Sequence, residues 1–174
     1  MDSPTLKIST LSLFLFLFLS STQAQTSNLV DSVCKETLDY TKCLEALESD
    51  PKSKTTTDLK VLAKIAVQLS ISNAKGSLSF IHDEIKKGTG GAQQEALEKC
   101  ASSYETVVES FNSALIELDD DVLSANYDIK VAGDDVDSCK SELVSKKVEI
   151  PALSDRNDQV KLYSNIGFVI TNKL

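Results

Sequence analysis

The stretch LEKCASSYETVVESFNSALIEL, residues 97–118, decides the fold. Its apolar or core-sized positions are Leu97, Ala101, Tyr104, Val108, Phe111, Leu115 and Leu118, and they step by 4, 3, 4, 3, 4, 3. Only one face of an α-helix has that spacing; a strand would alternate every second residue. The next segment behaves the same way, with Val122, Ala125, Ile129, Ala132, Val136, Cys139 and Leu143 stepping by 3, 4, 3, 4, 3, 4. Working outward, Asp58 to Lys87 carries Leu59, Leu62, Ala66, Leu69 and Phe80, interrupted by Asn73 and Gly76. The last segment carries Leu153, Val160, Tyr163, Gly167, Ile170 and Leu174. Four long helices are predicted, preceded by a helix-like leading segment with Val30, Val33, Leu38, Leu44 and Leu47.

The helix breakers agree with this periodicity. Pro51, Gly88, Gly90, Gly91 and Pro151 fall between the stripes, where chain reversals are needed. Thr57 and Ser154 stand before acidic residues and are read as helix caps. Short connections make sequential helices antiparallel neighbours. The fold class predicted is therefore all-α: an up-and-down four-helix bundle over 57–174 with an N-terminal helical hairpin over 25–50. Val and Ile are frequent despite modest helix propensity, so packing must carry the fold.

Residues 1–24 have the pattern of a secretory signal: Lys7, the apolar run Leu11 to Leu19, and Thr22-Gln23-Ala24 with small residues for cleavage after Ala24. The run is too short to span a bilayer. About 150 residues remain, enough for a single domain, 25–174. The formal net charge is −8, which repels phosphate backbones and anionic lipid, so neither nucleic acid nor membrane is an expected partner. There is no Trp, and Phe14, Phe16 and Phe18 belong to the signal, so the core is aliphatic and alanine-rich.

Export places Cys34, Cys43, Cys100 and Cys139 in an oxidising compartment, where an even count reads as a disulfide framework. Four cysteines allow three connectivities. Cys34 and Cys43 flank a plausible turn at Asp39-Tyr40-Thr41, and Cys100 and Cys139 border the stripes of adjacent antiparallel helices. Pairing first with second and third with fourth therefore needs the least contortion. With no CxxC pair present, the cysteines are structural.

Catalytic chemistry is not expected. His82 is the only histidine, near a helix end, with no Ser, Cys or Asp partner placed beside it by spacing. No nucleophile-elbow pattern occurs. Asp119-Asp120-Asp121 lacks the glycine and terminal glutamate of a calcium loop and reads as a solvated capping loop, so no metal and no cofactor is expected. No N-glycosylation acceptor is present, and no catalytic domain is expected behind Leu174.

Cys34 and Cys43 with eight residues between, then Leu47-Glu48-Ser49-Asp50-Pro51-Lys52-Ser53, Asp58-Leu59 and the later cysteine pair, together resemble the plant invertase and pectin methylesterase inhibitor family. Ser124-Ala125-Asn126, Asp134-Asp135, and Leu153-Ser154-Asp155-Arg156-Asn157 leading into Val160, Leu162 and Ile166 extend the likeness over the whole mature chain. It is most similar to the invertase-inhibitor group that includes pollen allergens. The resemblance implies a four-helix bundle with a helical hairpin, the same disulfide pairing, and inhibition by a stoichiometric complex. A monomer is expected before that complex forms, secreted to the apoplast and cell wall or carried to the vacuole.

The target implied is an acid invertase, with pectin methylesterase as the alternative. Members that block acid invertase carry a Pro-Lys-Phe element after the third long helix; Asp121-Val122-Leu123 stands in about that place here. Carried over from that element, Asp121, Val122, Leu123 and Tyr127 are the expected target-binding residues. Lys140 after Cys139 replaces the family's usual Glu. The acidic surface leads us to expect pH-dependent affinity. A further class, a carrier of an apolar ligand, rests on Asn73, Gly76, Ala125, Ala132 and Gly167 facing inward.

Overall fold

The computed structural model describes residues 28–174, so the export signal expected over 1–24 lies outside the described residues. Six helices follow one another: α1 (Asn28–Cys34), α2 (Tyr40–Glu48), α3 (Leu59–Lys86), α4 (Gly91–Glu117), α5 (Val122–Ser145) and α6 (Pro151–Thr171). Three begin at an aspartate in extended conformation whose carboxylate accepts first-turn amides that the helix cannot satisfy itself. Asp39 accepts from Lys42 N at 3.0 Å, Asp58 from Lys60 N at 2.7 Å and Val61 N at 3.2 Å, and Asp121 caps α5 in the same way.

Two expected caps are corrected. Asp58, not Thr57, caps α3: it stands immediately before the first helical residue in extended conformation, which aims its carboxylate at the Lys60 and Val61 amides. Ser154 is not a cap: α6 already begins at Pro151, whose fixed φ and missing amide suit a first helical position. Pro151 therefore lies inside the helix start and not between stripes. The hairpin turn is likewise displaced. Tyr40 and Thr41 are already helical, and the reversal occupies residues 35–39.

Each long helix packs on two others, α3 on α4 and α6, and α5 on α4 and α6, which closes a four-membered ring. The hairpin rests mainly on α6, with a smaller contact between α2 and α3. Leu97, Tyr104, Phe111 and Leu118 from α4 meet Ala125, Ile129, Ala132, Val136 and Leu143 from α5 in one core. Burying one aliphatic side chain contributes roughly 1.5–3 kcal/mol, several times the propensity differences among ordinary helix residues. Packing thus outweighs the β-branched content, as the composition requires.

The stripes do not end up uniformly buried. Val108, Leu115, Val122, Leu69, Phe80 and Tyr163 are half-buried, and Leu38 and Leu174 are exposed. Leu38 belongs to the reversal after α1, where no helix face directs it inward, and Leu174 follows the end of α6. Gly76 is also exposed, with open space where a Cβ would stand. Its inward placement is corrected.

Both disulfides pair as expected. Cys34–Cys43 closes the hairpin with Cα atoms 5.4 Å apart, and Cys100–Cys139 ties α4 to α5 at 4.5 Å. By loop-closure entropy the longer link contributes about 4 kcal/mol. Beside it lies a buried polar pair absent from the sequence reasoning: the Tyr104 hydroxyl donates to Asn157 Oδ1 at 2.8 Å, joining α4 to α6.

Candidate functional site

The turn between α4 and α5 carries the residues singled out from sequence. Asp121 is the N-cap of α5, its Oδ1 accepting from Leu123 N at 3.1 Å and Ser124 N at 3.2 Å. The Ser124 hydroxyl donates to Asp121 Oδ2 at 2.8 Å. That hydroxyl, with the Ser124 and Leu123 amides, holds the Asp121 carboxyl below its ordinary range. Asp121 is thus committed to holding the helix start.

The turn is also moored to the rest of the bundle. Lys64 Nζ lies 2.7 Å from Asp119 Oδ1, and Lys60 Nζ donates to the Asp119 carbonyl at 3.2 Å. The Lys64 hydrogen bond is the main reason the Asp119 carboxyl is depressed. On the opposite side, Asn126 Nδ2 donates to Thr171 Oγ1 at 2.7 Å, tying the start of α5 to the end of α6. Exposed ion pairs are worth about 0–1 kcal/mol each, so these links fix geometry more than they add stability.

On this anchored helix start, Leu123 is 83% exposed and Tyr127 66% exposed. They are four residues apart, on one helical face, and project together. Asp121, Leu123 and Tyr127 are therefore brought together, with Val122 half-buried beside them. Carboxylates also crowd this turn: Glu117 is pushed up by burial and by the Asp128 carboxyl beside it, and its Oε2 is enclosed without a hydrogen-bond donor.

Sequence reasoning missed Lys60, Lys64, Asn126 and Glu117 as parts of this site. Lys60 and Lys64 carried a signal, since two lysines one turn apart at a helix start present a paired positive face. Asn126 appeared only as a likeness in sequence, because its partners at Phe168, Thr171 and Asn172 lie more than forty residues away.

His82 stands on the surface near the end of α3, beside Asp83. Lys140 pairs with Asp158 at 2.9 Å, linking α5 to α6. Of the small residues taken to face inward, Ala125, Ala132 and Gly167 do, and Asn73 is half-buried and donates to Gln159 Oε1 at 3.1 Å. They bring helices together: a Cβ on Gly167 would stand 3.1 Å from Ile129, and one on Gly133 would stand 2.5 Å from the Ser164 hydroxyl. A groove of about 370 Å³ does exist between the hairpin, α5 and α6, with Leu38, Leu162 and Phe168 among its walls. Ion pairs at its rim join Lys130 to Asp134 at 2.9 Å and Lys161 to Asp137 at 2.6 Å. Among the described residues, no helix is long and apolar enough to cross a membrane.

Comparison with known proteins agrees with this architecture. Residues 28–167 match the family described as plant invertase/pectin methylesterase inhibitor. The chain is 29% identical to the cell wall / vacuolar inhibitor of fructosidase 2 of Arabidopsis thaliana, over 71% of this chain and 69% of that protein. It is 24% identical to pectinesterase inhibitor 1 of Arabidopsis thaliana, over 94% of this chain and 92% of that one. A crystal structure of a mutant form of a pectin methylesterase inhibitor from Arabidopsis superposes with a TM-score of 0.77 at 22% identity, covering 85% of this chain and 98% of the other. At that identity the superposition speaks for the fold.

Proposed function

We propose, from the premise that the chain belongs to the plant invertase/pectin methylesterase inhibitor family, that it blocks a plant acid invertase by forming a stoichiometric complex over the active-site cleft. The family consists of inhibitors and not enzymes, so what has to be explained is recognition. The observation that carries the proposal is the pair of exposed apolar side chains, Leu123 and Tyr127, on a helix start fixed by Asp121, Asn126 and the Asp119 mooring. Large apolar side chains on a rigid support lose little entropy on docking and are the usual carriers of interface energy.

In this account Asp121 positions the surface, Leu123 and Tyr127 enter the target, and the half-buried Val122 lies at the edge of the contact. Cleavage after Ala24 releases a single domain, 25–174, that acts as a monomer in the cell wall, or in the vacuole, until it meets its target. The sucrose-cleaving target is favoured by the relative named an inhibitor of fructosidase, which is 29% identical. Pectin methylesterase is the second reading, favoured by Asp121-Val122-Leu123 standing where invertase-blocking members carry Pro-Lys-Phe.

The experiment is a Leu123→Ala/Tyr127→Ala double variant assayed against a purified acid invertase. Inhibition should weaken by at least ~100-fold, as expected for two buried interface anchors at ~1.4 kcal/mol per factor of ten. The melting temperature should stay where it was, since both side chains are exposed. Unchanged inhibition removes the α5 start from the interface.

A further inference from the structure

The connection between α3 and α4 differs from the other interhelical connections of the bundle. Residues 86–92 form an unbroken exposed run that includes Lys86, Lys87, Gly88, Thr89, Gly90 and Gly91. Gly88, Gly90 and Gly91 have φ of 65°, 68° and 55°, and no atom lies within 4 Å of where their Cβ atoms would stand. Gly88 N donates to the Ile85 carbonyl at 3.0 Å, and the next tie is from Gln94 N to the Gly90 carbonyl at 3.4 Å. Thr89 makes no hydrogen bond among the described residues. The helix it leads into lacks a side-chain cap. Local opening here therefore disrupts few contacts, which is the condition for endoproteolysis of a folded chain.

The connections after α2, α4 and α5 are anchored, and the one after α1 is enclosed by the Cys34–Cys43 link. Between α2 and α3, Ser53 is buried and donates to the Leu47 carbonyl. The α4–α5 turn is held by Lys60, Lys64 and the Asp121 cap. After α5, Val148 N donates to the Leu143 carbonyl at 2.9 Å, and Val148 and Ile150 pack against the core. Lys52, Lys54, Lys146 and Lys147 are thus basic but sit on constrained backbone. Lys86 ends α3 and the Lys87 amide still donates to the Glu84 and Ile85 carbonyls, while their side chains pair with Asp83 and Glu84; beyond Gly88 N the backbone has no tie among the described residues until the Gly90 carbonyl.

The disulfides make a cut here different from cuts in much of the chain. Cys34–Cys43 and Cys100–Cys139 each lie wholly on one side of residue 87. A break anywhere within 101–138 leaves its two pieces covalently joined by Cys100–Cys139, whereas a break after Lys87 leaves α1–α3 and α4–α6 with no covalent bond between them.

We propose that the Lys86–Gly91 connection is a cleavage site for lysine-directed serine endopeptidases, and that one cut there converts the inhibitor into two dissociable halves. The endopeptidase breaks the Lys87–Gly88 amide with one water, whose hydroxyl completes the Lys87 carboxyl while its hydrogen goes to the Gly88 amine. The severed α3 must then hold to α4 and α6 by association between separate molecules. The effective concentration that the loop supplied is lost, and stability becomes dependent on protein concentration.

The test uses trypsin at low ratio on the oxidised mature protein. The first cut, located by mass spectrometry, should fall after Lys86 or Lys87, and the product should run as two pieces on non-reducing denaturing electrophoresis. The melting temperature of nicked protein should fall by about 5–10 °C on hundredfold dilution, while that of intact protein stays constant. A Lys86→Gln/Lys87→Gln variant should resist the first cut with an unchanged melting temperature. A first cut after Lys52, Lys54, Lys146 or Lys147 overturns the assignment of the site. A melting temperature of nicked protein that ignores dilution overturns the claim of dissociable halves.

Discussion

Removing the hydroxyl of Tyr104 should destabilise the bundle more than any exposed ion-pair deletion. Both Tyr104 and Asn157 are fully buried, and the hydroxyl donates to Asn157 Oδ1 at 2.8 Å. Burial also pushes the Tyr104 hydroxyl well above its ordinary range, so it remains a donor at all working pH values. Tyr104→Phe keeps the ring but strips the donor from a buried carbonyl oxygen, a loss of about 1–3 kcal/mol. With a urea slope of about 1–3 kcal/mol per molar, the unfolding midpoint should fall by roughly 1 M. Asn157→Ala removes the acceptor and leaves the Tyr104 hydroxyl with Ser77 as its remaining partner, a smaller hydrogen-bond loss plus a small cavity. The double variant should cost less than the two losses added, because the Asn157 oxygen orphaned by Tyr104→Phe is then gone and the shared bond is counted once. Urea unfolding with both disulfides intact, run on all four members of the cycle, gives the coupling energy. Additivity within about 0.5 kcal/mol would refute the assignment of this bond as the polar tie between α4 and α6.

Asp121→Ala should lower stability by about 1 kcal/mol through loss of the α5 cap, with a matching drop in inhibition as the helix start frays; thermal melting and an inhibition assay check both. Gly76→Ala, at an exposed helical position with free space, should stabilise by about 0.5–1 kcal/mol, whereas Gly133→Ala should destabilise by about 1–3 kcal/mol by displacing Ser164. Chemical denaturation should show the two opposite signs. Glu117 is raised in the fold by burial, Asp128 and Asp121, so the folded state keeps its proton at a pH where the unfolded chain has released it. Stability from this group is unimpaired below the ordinary glutamate range and is lost as pH rises through the raised value. Glu117→Gln should therefore flatten that decline in a series of melts between mildly acidic and neutral pH; an unchanged profile would remove Glu117 from it.

The bundle was legible because helical periodicity is a property of neighbours in sequence, and Leu97 to Leu143 displays it without interruption. The disulfide pairing followed once Cys100 and Cys139 were placed on adjacent helices. Helix starts were less legible. Thr57, Asp58, Ser154 and Pro151 all have capping or starting chemistry, and only backbone conformation selects Asp58 and Pro151. Leu38 misled for a related reason: apolar character does not bury a residue that lies in a reversal. Asp121, expected from sequence to touch the target, is the N-cap of α5, the helix start that carries the exposed Leu123 and Tyr127. The links that hold this surface, Asn126 to Thr171 and Lys64 to Asp119, join residues 45 and 55 positions apart and leave no local pattern.

The central claim, that a stiffened helical surface occludes a sucrose-cleaving active site, is tested most directly by titrating the oxidised mature protein against a purified acid invertase, with a pectin methylesterase in parallel. Invertase activity should fall linearly to a break at one inhibitor per enzyme while the esterase keeps its rate. Full invertase activity beyond that ratio contradicts the account, and loss of esterase activity alone transfers the surface to the other target.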